Sequence, residues 1–257
     1  MNITVIKIGG NVVDDANART EFYAQLSAIR SAVILVHGGG KVATELSSKL
    51  GIPTTMIDGR RVTDAETLRV VTMVYAGLIN KQLVAELQSH GINALGITGA
   101  DGNILRAHKR THAQHDYGFV GDIDSVNTEL LSQLVQANLL PVIAPLTHDG
   151  SGQLLNTNAD TIAAQVASAL AQTFTVDVIY CFEKRGVLRN VEDESTLIPS
   201  LTLTEYSALK ANGVVAQGMI PKLDNAFDAI ARGVHSVRIT KYTHLDGGTL
   251  LHKGESA

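Results

Sequence analysis

The chain has 257 residues, 45% of them hydrophobic and only 18% charged, which is enough apolar material for one large α/β domain or two lobes. Its formal net charge of −4 gives no bulk attraction to nucleic acid or an anionic membrane, so an anionic small molecule must be held by a few placed cations. A lone cysteine, Cys181, excludes an internal disulfide, and neither a leader segment nor an apolar run of about eighteen residues occurs, so the expected setting is cytoplasmic.

The first apolar, β-branched run, Ile3 to Ile8, reads as a buried strand that runs straight into Gly9-Gly10. It carries one charge, Lys7. A lysine at a strand edge usually faces solvent, but two residues before a glycine turn it suits a phosphate. A helix is expected over Glu21 to Ile29, then a strand over Ala32 to Val36 that ends in His37-Gly38-Gly39-Gly40. Bare backbone N–H groups at such turns, backed by a helix N-terminus, form an anion seat, and the chain has two of them.

After a helix over Val42 to Leu50 comes Gly59-Arg60-Arg61-Val62-Thr63. Adjacent arginines are most often solvated, yet a guanidinium fork there matches a carboxylate. Thr63 and Glu66 read as a capping box, and Leu68, Val71, Tyr75, Leu78, Ile79 and Leu83 recur at three and four, predicting a long helix that stops at Gly91. Its length suits a subunit interface. Asn93 to Ile97 is the next strand. The polar stretch Ala100 to Gly121 reads as a hairpin able to cover a ligand; Lys109 and Arg110 lie between His108, His112 and His115, which favours a polar loop over a metal face.

A strand over Leu140 to Ala144 precedes Asn156-Thr157-Asn158-Ala159-Asp160, which leads into a helix over Thr161 to Ala171. One Asn or Asp is expected as a cap; three in five residues exceed what capping needs. Further strands fall at Thr175 to Cys181 and Ser236 to Thr240, and Lys222 sits in Gly218-Met219-Ile220-Pro221-Lys222 before an apolar helix. Strands alternating with helices predict a largely parallel sheet. No linker or repeat divides the chain, so 1–257 reads as one domain, with lobes that meet near Ala169 to Asp177.

Neither G-x-x-x-x-G-K-[ST] nor G-x-G-x-x-G occurs, which removes the P-loop and the Rossmann fingerprint. The His-Gly-Gly-Gly turn also serves esterases, but those need a G-x-S-x-G elbow, and Ser151 between Gly150 and Gly152 has the wrong spacing.

Lys7 with Gly9-Gly10, His37 to Gly40, Arg61 in GRRVT, Asn156 to Asp160, Lys222 in GMIPK, the run Tyr117 to Asp122 and Gly248-Thr249 together resemble the amino-acid kinase family, and within it the kinases of N-acylated glutamate. The resemblance covers essentially the whole chain. It implies a three-layer αβα sandwich with a largely parallel central sheet, an N-lobe of about 1–170 for the acylated amino acid and a C-lobe of about 171–257 for the nucleotide. The implied reaction is ATP-dependent phosphorylation of the γ-carboxylate of N-acetyl-L-glutamate, the second step of arginine synthesis. N-succinyl-L-glutamate as substrate, or a non-catalytic amino-acid sensor on the same fold, are the alternatives.

By the same resemblance, Lys7 and Lys222 stabilise the migrating phosphoryl group, Asp160 holds both lysines, and Gly10, Gly39 and Gly40 lend backbone N–H groups. Arg61 takes the substrate α-carboxylate beside Asn156 and Asn158. Gly9, Glu183, Gly186, Val187, Leu188, Val214, Val215, Ala216, Gly218 and Met219 hold ATP, with Mg²⁺ on its phosphates and no protein metal site. Glu183 and Gln217 depart from the family pattern, since Asp and an acidic residue are usual there. Only Met1 and Asn2 precede the first strand, which resembles the dimeric, arginine-insensitive form.

Overall fold

The computed structural model describes residues 1–57, 59–215 and 219–254. They fall into two compact units, Met1–Val33 with Ala163–Ala257, and Ile34–Ile162.

In the first unit five strands lie in the order Ser200–Thr202, Thr249–His252, Ser236–Lys241, Thr175–Phe182, Asn2–Ile8. Asn2–Ile8 pairs parallel to Thr175–Phe182 with Lys7 opposite Tyr180, and Thr175–Phe182 pairs parallel to Ser236–Lys241. Thr249–His252 runs antiparallel to Ser236–Lys241, and Ser200–Thr202 pairs parallel to Thr249–His252, so these two strands oppose the other three. Ile3, Val5, Ile6 and Ile8 are all fully buried, which is why the strand reads as an unbroken apolar run and not as an alternation. Each such side chain contributes roughly 1.5–3 kcal/mol on burial. The helix Ala16–Leu26 begins at Asp15, whose carboxylate accepts from the Asn17 and Ala18 N–H groups, and Leu203–Ala211 begins with a capping box of Thr202 and Glu205.

In the second unit Ala32–His37, Leu140–Ile143 and Ala94–Ile97 form parallel neighbours in that order. A second sheet has the order Leu154–Asn156, Leu146–His148, Leu105–Lys109, Gly121–Val126. The expected hairpin is present, but its return arm begins at Gly121, where the sequence reading ended it; Leu105 pairs with Val126 and Lys109 with Gly121.

The long helix also differs from its expectation in two respects. Asp64, not Thr63, is its N-cap, accepting from the Thr67 N–H at 2.8 Å, because Thr63 is drawn into a bridge with Gly118. Helical backbone then runs from Ala65 to Ser89, but Met73–Ile79 is π-helical. Gly91, at φ 74°, ends it in the left-handed conformation expected of a terminal glycine.

Candidate active site

The first glycine turn is compact. The Gly9 carbonyl accepts from Val12 N at 3.1 Å and Val13 N at 3.0 Å, opening a helix of only four residues, Gly10–Val13. So short a helix has little dipole, and what this turn offers an anion is its N–H groups. A Cβ on Gly10 would stand 3.0 Å from Asp14 Oδ2, which leaves little room there for any other residue.

Lys7 is only 9% exposed, and its Nζ lies 5.8 Å from the centre of the Phe182 ring. Lys222, in the first turn of the helix Ile220–Ala231, places its Nζ 3.9 Å from the same centre. Two cations more than two hundred positions apart in the chain thus converge on one aromatic ring. Phe182 itself stacks on Tyr180 at 6.0 Å. Cys181, between them in sequence, is fully buried, and burial pushes its thiol up to about 12, which agrees with a packing role.

The second unit gathers Gly40, Arg61 and Asn156 into a connected network. Arg61 is 8% exposed; Nη2 donates to the Gly40 carbonyl at 2.8 Å and to Thr44 Oγ1 at 2.7 Å, and Nη1 donates to Thr54 Oγ1 at 3.2 Å. Tyr75 lies beside the same guanidinium; its burial pushes the phenol pKa upward against the pull of that charge. The Thr63 hydroxyl donates to the Arg61 carbonyl at 3.0 Å and accepts from Asn156 Nδ2 at 2.9 Å. The segment 117–120 closes this ring: Thr63 N donates to the Tyr117 carbonyl, Phe119 N to the Thr63 carbonyl and Asn156 N to the Phe119 carbonyl. Gly118 is required there, since a Cβ would fall 2.1 Å from the Thr63 carbonyl oxygen.

The Asn158 oxygen accepts from the Asp160 and Thr161 N–H groups, so part of this side chain is a helix cap. Asp160 opens the helix Ala159–Leu170 with its Oδ1 closed off from solvent. The three histidines do not share a face. His108 pairs with Asp124 at 2.6 Å, while His112 and His115 stack at 5.4 Å.

Of the expected nucleotide residues, Glu183 is exposed, whereas Gly186, Val187 and Leu188 are buried. Gly186 is tightly enclosed; a Cβ would meet Leu197 Cδ1 at 2.6 Å and Thr249 Oγ1 at 2.7 Å, and Val187 N donates to Thr249 Oγ1 at 2.8 Å. Val215 is buried, and Val214 and Met219 are half-buried. Ala216 and Gly218, with Gln217, lie outside the described residues.

The chain matches the amino acid kinase family over residues 2–241. It belongs to that family. One relative, the acetylglutamate kinase of Bacteroides fragilis, is 51% identical over 253 residues, 98% of this chain and 97% of that one. A second, the acetylglutamate kinase of Cytophaga hutchinsonii, is 54% identical over 236 residues, 91% of this chain and 89% of that one. Among solved structures, carbamate kinase from Giardia lamblia bound to AMP-PNP superposes with a TM-score of 0.68 over 98% of each chain; at 14% identity it shows the shared fold alone.

Within the family frame, the sequence reading missed Phe182 as the meeting point of both lysines, and Thr44, Thr54, Thr63 and Tyr75 as the supports of Arg61. Thr63 stood in the quoted GRRVT motif, where it read as a cap. The rest are ordinary helix, loop and strand residues whose proximity no local pattern encodes.

Proposed function

We propose that this chain is an ATP-dependent kinase that phosphorylates the γ-carboxylate of N-acetyl-L-glutamate, which places it at the second step of arginine synthesis. The convergence of Lys7 and Lys222 beside the first glycine turn is the observation that carries the chemistry. A carboxylate oxygen attacks the γ-phosphorus as the bond to the ADP oxygen breaks, giving an acyl phosphate and ADP. A carboxylate with a pKa of about 4.3 is already ionised at neutral pH, so no general base is needed. What the transfer needs is charge cancellation, and Lys7, Lys222 and the N–H groups of Gly10, Gly39 and Gly40 supply it.

Asp160 orders the lysines in this reading. Arg61 receives the substrate α-carboxylate in the neighbourhood of Asn156 and Asn158; its buried, three-bonded guanidinium supports that role, because its fork is pre-aimed. Gly9, Glu183, Gly186 to Leu188 and Val214 to Met219 accompany ATP, and Mg²⁺ arrives on the phosphates. Acetyl is favoured over succinyl by the relatives, and the retained pair of lysines weighs against a non-catalytic sensor.

The deciding assay measures ATP turnover with N-acetylglutamate, N-succinylglutamate, free glutamate, aspartate and UMP, trapping acyl phosphate with hydroxylamine. Turnover is expected on N-acetylglutamate above all others; none on either acylglutamate refutes the reading. A homodimer is the expected assembly, with the exposed Met73 and Leu78 of the long helix available to a second copy. Sedimentation velocity reads it directly, and a monomer or hexamer overturns it.

A further inference from the structure

The glycine turn at 38–40 is gripped from one side by the π-helical part of the long helix. Asn80 is 1% exposed. Its Nδ2 lies 2.9 Å from the Val142 carbonyl and its Oδ1 3.1 Å from Lys81 Nζ. A carbonyl only accepts and an ammonium only donates, so these neighbours orient the amide. The same Nδ2 is 3.2 Å from His37 Nε2, which therefore accepts. His37 Nδ1 is 2.7 Å from the Gly38 carbonyl and must then carry the proton. The imidazole is fully buried, and desolvation depresses its pKa to about 4, which agrees with a neutral ring that donates at Nδ1 and accepts at Nε2.

The same helix also closes on the next glycine. A Cβ on Gly39 would stand 2.4 Å from Ile79 Cδ1 and 3.0 Å from Tyr75 Cδ1, while Tyr75 also flanks Arg61. Tyr75, Ile79 and Asn80 are four and five residues apart. In an α-helix of about 3.6 residues per turn, Tyr75 and Asn80 would point roughly 140° apart. The i to i+5 winding of Met73–Ile79 brings them toward one face, and such segments recur at functional sites.

We propose that Asn80 is a positioning residue for phosphoryl transfer: through the Nδ1–H tautomer of His37 it turns the Gly38 carbonyl aside and leaves the Gly39 and Gly40 N–H groups to the transferring phosphoryl group. This rests on the kinase reading above. Asn80 touches no reacting atom, and its effect on catalysis is exerted through the set of the glycine turn.

The test compares the wild-type chain with Asn80→Leu, His37→Leu and His37→Asn, the last retaining a side-chain N–H able to reach the Gly38 carbonyl. Asn80→Leu is expected to lower kcat by about 10², the scale of a misplaced catalytic group, with KM for ATP and for N-acetylglutamate changed less than about twofold. His37→Asn is expected to retain at least ten times the kcat of His37→Leu, a rescue that a purely packing role does not predict. Imidazole ¹⁵N shifts are expected to report an Nδ1-protonated neutral His37 in the wild type and loss of that signature in Asn80→Leu. Wild-type kcat in a folded Asn80→Leu protein, equal losses in both His37 variants, or an Nε2-protonated wild-type ring each overturns the proposal. Should Asn80→Leu not fold, the His37 pair and the wild-type ¹⁵N shifts decide. Absence of turnover by the wild type refutes the kinase reading instead, and the ¹⁵N arm still decides whether Asn80 sets the His37 tautomer.

Discussion

Arg61 donates from both terminal guanidinium nitrogens to Thr54, Thr44 and the Gly40 carbonyl, and it is almost wholly buried while doing so. Lysine has the charge but not the fork, so Arg61→Lys leaves buried acceptors without their donors. A rise of ten-fold or more in KM for N-acetylglutamate is expected, with KM for ATP little changed, and initial-rate kinetics separate the two. Lys222 presents a contrasting case, because in the proposed reaction its contribution is made in the transition state. Lys222→Ala is expected to lower kcat by about 10² to 10³, the scale of losing one preorganised charge donor; a kcat near that of the wild type would remove Lys222 from the mechanism. Both residues were picked out in the sequence by the motifs of the family resemblance, Arg61 in GRRVT and Lys222 in GMIPK. Phe182 did not, since a phenylalanine at the end of an apolar strand reads as core until Lys7 and Lys222 are seen to approach its ring.

At the scale of elements, turns decide the site. Gly118 lets the segment 117–120 pass against Thr63, and the bridge so formed ties the foot of the long helix to Asn156. Gly118→Ala puts a methyl group 2.1 Å from a backbone oxygen and asks a non-glycine residue to hold φ 69°. A loss of about 1–3 kcal/mol is expected in urea unfolding, with KM for the acylated amino acid raised by the displaced Arg61 and Asn156. The strands and their order of appearance were legible because buried parallel strands are continuous apolar runs. The π-helical winding was not. Leu68 to Leu83 satisfies an α-helical period well enough, and the close approach of Tyr75 and Ile79 to Gly39 that accompanies the wider winding joins residues remote in the chain.

For the molecule as a whole, His37 makes stability depend on pH. Its folded pKa of about 4 lies below the ordinary 6.5, so the unfolded chain takes up the proton first. The stabilisation is complete above pH of about 6.5 and is lost as pH falls through that window toward about 4. At about 1.4 kcal/mol per unit, the full effect is about 3 kcal/mol. Urea midpoints measured across this window should fall more steeply for the wild type than for His37→Gln; parallel curves would show that His37 is not the group responsible.

The sequence by itself determined the parallel α/β class, because buried parallel strands are continuous apolar runs, and the two glycine turns with Lys7 beside the first, while its motifs along the whole chain resembled the family and through that resemblance pointed to Arg61, Asp160 and Lys222. Tertiary structure alone decided that Lys7 and Lys222 share the Phe182 ring, that Thr63 leaves its cap to bridge Gly118, and that Asn80 reaches His37 across 43 positions. Those are contacts between residues remote in the chain, and what selects them is the packing of whole elements, which no local pattern carries.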